Sequence, residues 1–356
     1  MVKTNAFENL FVLELANNHW GSLDRGKKIV REFSKIVKKH NVKASIKLQF
    51  RDVESFIHKD YSDGAKSASF AYGRYINKTA KTKLSKEDLL TLVNYIKRWG
   101  CTSMATPFDE RSVDWCEEMG ISIIKIASSD INDWILIDRI AKTKKPTIIS
   151  TGGADEKQID DVVRYFENRK IPLGINHCVS KYPSEDDELD LNQIDYLKAR
   201  YPNNTIGLST HEHKDWRSSM LISYAKGART WERHVDIPYG PDECEQKEIS
   251  SYCSLPTQID QWFDAHKKAV EMCGSSPEER RAIGEKESEY LKALYRGLYL
   301  KSSLKNGDKI SLGDLYSAVP FQKEKFQFSS REFIDGEYTL NKDLPKDSPL
   351  TVSDVF

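Results

Sequence analysis

Two lysines stand in surroundings that discourage charge. Lys47 lies in Ser45-Ile46-Lys47-Leu48 and Lys125 in Ile123-Ile124-Lys125-Ile126, both short apolar runs. An ammonium buried there is costly unless a carboxylate or a bound anion neutralises it. Glu14 and Asp130 are the candidate carboxylates. With Thr106, Ser128 and Ser150, the two lysines also form a plausible cradle for a ligand bearing phosphate and carboxylate groups. His211 and His234 close two further runs of strand texture. Two imidazoles joined by carboxylate and water oxygens suit a divalent cation, Mn²⁺ first, with Zn²⁺ as an alternative. His19 and His213 are rival ligands.

Residues so far apart in sequence meet only if the fold lines them up. Eight β-branched, apolar runs recur: Phe11–Asn17, Ala44–Phe50, Thr102–Phe108, Ile123–Asp130, Pro146–Gly152, Leu173–Val179, Thr205–His211 and Ala228–Asp236. Between them lie stretches of helical spacing. Leu89, Leu92, Val93 and Ile96 follow Ser85, an N-cap with Glu87 and Asp88 behind it. Val113, Cys116 and Met119 precede Gly120, and Ile159, Val162, Val163 and Phe166 repeat the pattern. This alternation predicts an α/β fold, a parallel (β/α)₈ TIM barrel; a doubly wound open sheet is compatible with it too. In a barrel the strand C-termini share one mouth. Strand by strand, it would receive Glu14, Asn17, Asn18 and His19; Lys47 and Gln49; Thr106; Lys125, Ser128 and Asp130; Ser150 and Thr151; His177, Ser180 and Tyr182; Ser209, His211 and His213; Glu232, Arg233 and His234.

The 356 residues suit a barrel of roughly 250 residues plus one small domain. The expected division is a barrel over 1–273, a polar connector over 274–289 and a small β-rich domain over 290–356. In the last, Leu298-Tyr299-Leu300, Lys309-Ile310-Ser311 and Tyr338-Thr339-Leu340 read as short strands between Gly-Asp and Asp-Gly turns. Residues 60–84 break the rhythm and read as an insertion after the second strand. Lys+Arg and Asp+Glu both number 54, so no global basic field draws nucleic acid or a membrane surface. No run approaches the ~18 apolar residues of a membrane span. The opening residues show no signal-peptide pattern, so a cytoplasmic chain is expected. Its six cysteines form no CxxC pair and are expected as reduced thiols, mostly buried.

Seven motifs in order resemble the N-acetylneuraminate (sialic acid) synthase family. They are Leu13-Glu14-Leu15-Ala16-Asn17-Asn18-His19-Trp20-Gly21, Ala105-Thr106-Pro107-Phe108-Asp109, Lys125-Ile126-Ala127-Ser128-Ser129-Asp130, Ser150-Thr151-Gly152, His177-Cys178-Val179-Ser180-Lys181-Tyr182-Pro183, Gly207-Leu208-Ser209-Thr210-His211 and Glu232-Arg233-His234. The tail from Tyr295 through Ile310 resembles the family's antifreeze-like (SAF) domain. The resemblance implies condensation of phosphoenolpyruvate with a sugar aldehyde, a divalent metal (Mn²⁺, with Mg²⁺ or Co²⁺ as alternatives), and a homodimer in which each SAF domain covers the partner's barrel mouth. It implies that Lys47, Gln49, Thr106, Lys125, Ser128, Ser150, Ser180 and Ser209 hold phosphoenolpyruvate and that His211 and His234 hold the metal. It gives Glu14, Lys47 and Lys125 the catalytic roles, Glu14 as acid/base. Asp130, Tyr182 and Asp242 would face the sugar.

Three departures bear on the acceptor. Thr210 stands where the family usually has Asp, in a Ser-Asp-His-Thr run. Asp130 stands where it usually has Glu. Ser317-Ala318-Val319-Pro320-Phe321 stands where the SAF domain normally presents an Arg, so an acceptor other than N-acetylmannosamine is expected. Two other readings compete with the synthase: a barrel aldolase acting on a 2-keto acid through a Schiff-base lysine, and a non-catalytic sugar-binding relative.

Overall fold

The computed structural model describes residues 5–61, 78–240, 248–274 and 278–356. Asp242, and most of the insertion read over 60–84, lie outside them. The chain divides into two compact units, Met1–Gly274 and Ser275–Phe356.

In the first unit eight parallel strands close into a barrel in chain order. They are β1 (Leu10–Ala16), β2 (Ala44–Phe50), β3 (Thr102–Pro107), β4 (Ile123–Ile126), β5 (Thr147–Ser150), β6 (Leu173–Cys178), β7 (Thr205–Ser209) and β8 (Thr230–His234). Closure through β1 and β8 excludes the open sheet. The outer helices are α1 (Leu23–His40), α2 (Lys86–Arg98), α3 (Glu110–Glu118), α4 (Trp134–Lys142), α5 (Glu156–Asn168), α6 (Gln193–Arg200), α7 (Trp216–Ala225) and α8 (Pro256–Cys273). Short polar caps start most of them. Ser22, Ser85, Asp109, Asp133, Asp155 and Asp215 each accept a hydrogen bond from a backbone N–H of the first turn.

The period of two along each strand explains the misplaced lysines. Phe11, Leu13, Leu15, Ile46, Leu48, Ile124 and Ile126 face outward and pack with Ile29, Phe33, Leu92 and Trp262 of the helical layer. The alternate residues face inward. Phe7, Leu10, Val12, Met104, Ile123 and Ile148 pack together as the floor. One step further along the same inward faces come Glu14, Lys47, Thr106, Lys125, Ser150, Ser209 and Glu232. Lys47 and Lys125 thus have apolar sequence neighbours that point away from them.

β2 matches its run and β1 is shifted by one residue, but the other six strands are shorter than their runs. β4 stops at Ile126, and Ser128–Asp130 forms a 3₁₀ turn closed by the Asp130 N–H donating to Ala127 O at 3.0 Å. Asp130 is therefore carried by a turn and not by a strand end. His211 lies two residues past β7. His177 needs a larger correction. It falls on the outward face of β6, and its Nε2 is 2.7 Å from the Leu189 carbonyl, so it does not reach the mouth.

The second unit opens with α9 (Glu285–Leu294), which begins inside the stretch expected to be a connector. Four short strands follow: β9 (Gly297–Leu300), β10 (Lys309–Ile310), β11 (Leu315–Ala318) and β12 (Tyr338–Thr339), paired β9–β11 and β10–β12. Leu298, Leu300, Ile310, Leu315, Phe328, Phe333, Leu340 and Leu350 form its core. The Gln322 amide donates to the Tyr299 hydroxyl at 3.3 Å, just after the Arg-less stretch. Among the described residues no helix is long and apolar enough to cross a membrane.

Candidate active site

The inward faces of β1, β2, β3, β4, β5, β7 and β8 deliver one hydrogen-bonded charge network. Lys47 and Lys125 are each 3% exposed. The Lys47 ammonium contacts Glu14 Oε2 and lies 3.3 Å from Glu232 Oε1. It also donates to Thr106 Oγ1 at 3.1 Å. Lys125 donates to Ser150 Oγ at 2.6 Å and lies 3.5 Å from the same Glu232 oxygen. Ser209 Oγ donates to that oxygen as well, at 3.2 Å. Glu14 Oε1 accepts the Ala16 N–H at 2.7 Å, across the irregularity that shifts the β1–β2 register between Glu14 and Ala16.

Burial opposes the charge on Glu232, but Lys125 and Lys47 outweigh it and hold the carboxyl well below its usual range. For Glu14, burial prevails over Lys47, and the charge of Glu232 adds to it, so its pKa is raised. Burial lowers Lys125, with Glu232 opposing. Two lysines and two carboxylates thus share one buried network, in which Glu232 is the acid held charged.

Hydroxyls line the adjacent sector. A Cβ added to Gly152 would lie 2.2 Å from Ser180 Oγ and 3.0 Å from Ser128 Oγ. The loops after β4, β5 and β6 thus converge two hydroxyls on the bare backbone of Gly152, two residues past Ser150. Gln49 takes no part in the lysine network. Its Oε1 accepts from Arg51 Nη1 at 2.9 Å and from Asn17 Nδ2 at 3.4 Å. These three residues line a small open cleft with His19, Thr79 and Lys83.

His211 and His234 have ring centroids 5.4 Å apart, and Tyr182 lies against His211 at 3.9 Å. Tyr252 adds an edge contact to His234 at 5.2 Å. Burial lowers both imidazoles, His211 to about 4, so near neutral pH each keeps the lone pair a metal needs. His211 Nδ1 is 2.9 Å from the Val179 carbonyl. As the donor there, it leaves Nε2 as the ligand atom. Glu232 Oε2, on the same face of β8, is buried without a partner among the described residues. Two neutral imidazoles and an orphaned carboxylate oxygen are donors that suit a hard or borderline divalent cation, but here the three do not close into a tight triad. Water and substrate oxygens would have to complete its shell. Among the described residues the one group of three closely spaced potential ligands is His40, Asp260 and Asp264, on α1 and α8. There Lys39 already lies 2.7 Å from both Asp260 oxygens. His19 is engaged by the Gly21 N–H at 3.1 Å, and His213 makes no ring contact with the pair.

Asp130 sits apart from the lysines. Ser129 Oγ donates to its Oδ1 at 2.9 Å, Oδ2 is buried without a partner, and burial raises its carboxyl to about 6.

Glu232, expected at the mouth but without a role, is the counter-ion the two lysines share. The signal was available in its position two residues before His234 on one strand, hence on the same face. Arg51 was missed outright, because nothing marks a loop arginine as cleft-lining.

Residues 36–274 match the NeuB family. A Chromobacterium violaceum protein assigned to spore coat polysaccharide biosynthesis superposes with a TM-score of 0.86 at 33% identity, covering 98% of this chain and 100% of that one. N-acetylneuraminic acid synthetase from Leptospira borgpetersenii gives 0.67 at 25% identity, over 82% of this chain and 93% of the other. Pseudaminic acid synthase from Campylobacter jejuni is 28% identical over 324 residues, 89% of either chain. With two-thirds of its length inside the family match and the barrel shared throughout, the chain belongs to the NeuB family.

Proposed function

We propose that the barrel joins phosphoenolpyruvate to the open-chain aldehyde of a sugar, giving a 3-deoxy-2-ulosonic acid of the sialic-acid type and inorganic phosphate. The observation that carries this is the pair of buried lysines sharing one carboxylate oxygen and bonded to the hydroxyls of Thr106 and Ser150. The names of the Leptospira and Campylobacter relatives support it.

In this reading Lys47, Gln49, Thr106, Lys125, Ser128, Ser150, Ser180 and Ser209 hold phosphoenolpyruvate, its charges met by the two ammonium groups. C3 of the enol attacks the aldehyde carbon. The new C–C bond leaves C2 as an oxocarbenium. Water adds to C2, and the tetrahedral product expels phosphate. The water gives up both protons: one goes to the former aldehyde oxygen, and the other leaves with phosphate as the C2 hydroxyl becomes the ketone. Glu14, its pKa raised by burial and its carboxyl in contact with Lys47, is the group we assign to the first of these transfers. A divalent cation, Mn²⁺ in the first instance, held by His211 and His234 would supply polarisation of the aldehyde oxygen. Asp130, Tyr182 and Asp242 would face the sugar. The reading includes a cytoplasmic homodimer that exchanges its C-terminal domains.

The test is phosphate release, with product mass, from phosphoenolpyruvate, Mn²⁺ and a panel of 2-acylamino and plain aldoses. At least one acceptor is expected to turn over. N-acetylmannosamine should be poor, because Val319-Pro320-Phe321 offers no guanidinium to an acyl oxygen. Efficient use of N-acetylmannosamine would reject the inference from the missing Arg. Silence across the panel would reject the synthase.

Asp130 adds a pH dependence. Its carboxyl, raised by burial, ionises near 6. As an acceptor of sugar hydroxyls it works best when ionised. The acceptor KM is therefore expected to fall severalfold, about 3–10-fold, between pH 5 and 7.5, and Asp130→Asn should flatten that profile. An unchanged slope in the Asn variant would remove Asp130 from sugar contact.

A further inference from the structure

The outward face behind the two histidines holds a buried ion pair that the proposed chemistry does not use. Arg233 precedes His234, and Glu212 follows His211. Because side chains alternate, Glu232 and His234 face the mouth while Arg233 faces the helices. Arg233 is 2% exposed and Glu212 is fully buried. Arg233 Nη1 donates to Glu212 Oε1 at 2.6 Å and to Thr210 Oγ1 at 3.3 Å. Its Nη2 donates to the Glu212 carbonyl at 2.9 Å and its Nε to Ser254 Oγ at 3.0 Å. Ser219 of α7 donates to the same Glu212 oxygen. One guanidinium therefore grips the residues on both sides of His211, from the residue next to His234. Ser254 is tied into the same strand end, its N–H donating to the His234 carbonyl at 2.8 Å.

We propose that Arg233 and Glu212 are positioning residues that set the separation and ring orientation of His211 and His234, and so the affinity of that pair for a divalent cation. This rests on the metal reading given above. The guanidinium's two charged and polar partners flank one histidine, so any change in its hold moves that backbone relative to β8. A buried pair of this kind adds little net stability, and its better attested use is to hold a register. Thr210 Oγ1 already lies beside Nη1, so a carboxylate at position 210 could take over the grip.

Mn²⁺ binding by the full chain, read by electron paramagnetic resonance of the free ion well below the melting temperature, tests this without reference to turnover. Glu212→Thr is expected to weaken Mn²⁺ binding by about tenfold or more, within the range that outer partners of metal ligands command, and Thr210→Asp combined with Glu212→Thr should recover most of it. Arg233→Lys keeps the buried charge balance but loses the fork. It should weaken binding comparably, and it makes the comparison if Glu212→Thr does not fold. Wild-type affinity in Arg233→Lys or in Glu212→Thr would overturn the positioning role while leaving the metal site standing. Absence of Mn²⁺ binding by the wild-type chain would overturn the metal reading and this inference together.

Discussion

Lys125→Met is expected to reduce kcat/KM for phosphoenolpyruvate by between about a hundredfold and a few thousandfold. Methionine keeps most of the volume and the apolar stem, so packing against the inward face of β4 is retained. What disappears is an ammonium that donates to Ser150 Oγ at 2.6 Å and neighbours Glu232 at 3.5 Å. Losing one partner of a buried charged contact costs about 3–5 kcal/mol, and each 1.36 kcal/mol is a factor of ten. The loss should appear in kcat/KM for phosphoenolpyruvate, with the KM of the sugar little changed. Unaltered kinetics would reduce Lys125 to a structural partner of Glu232. The Schiff-base reading also loses activity in this variant, so the discriminating measurement is different. Borohydride with a 2-keto acid should leave no adduct on Lys125 or Lys47. Burial does lower Lys125, as a nucleophilic lysine requires. The Lys47 ammonium is held charged between Glu14 and Glu232, which outweigh its burial.

The same residues show what sequence can and cannot carry. Alternation within a strand was legible, because Ile-Lys-Ile and Ile-Lys-Leu place the lysine on the face its neighbours avoid. Ser85 announced α2 and caps it through the Asp88 N–H. Counting strands favoured the barrel without excluding an open sheet; the pairing of β1 with β8 is what closes it. Which inward groups touch was not legible. That depends on stagger between strands distant in sequence, and Glu232 meets Lys47 and Lys125 only because β8 returns beside β1. His177 was misread for a simpler reason: it is one residue out of phase with Asn176 and Cys178 and so faces α6. Asp130 was placed on a strand that in fact ends four residues earlier, where the backbone turns into a 3₁₀ segment. The pairing of Arg233 with Glu212 was hidden for the same reason as Glu232, as it joins two strand ends through their outer faces.

Removing the cation is expected to have the second large effect. Excess chelator should abolish phosphate release, and Mn²⁺ should restore it. His211→Ala and His234→Ala should each weaken Mn²⁺ binding beyond the ~10–100-fold lost with an outer partner. The control is His266. Its imidazole is also pushed down to about 4 by burial. Its ring lies edge-on to Phe11 at 4.9 Å and to Trp231 at 5.0 Å, in the helical layer outside the barrel. It has the neutrality of a ligand but no second imidazole and no orphaned carboxylate oxygen beside it. His266→Ala should therefore lower the melting temperature, through lost packing, and leave Mn²⁺ affinity unchanged. If burial alone made these histidines titrate low, all three variants would behave alike toward Mn²⁺. If the arrangement of His211, His234 and Glu232 makes the site, only the first two will lose it, and undiminished turnover in chelator would take the cation out of the mechanism.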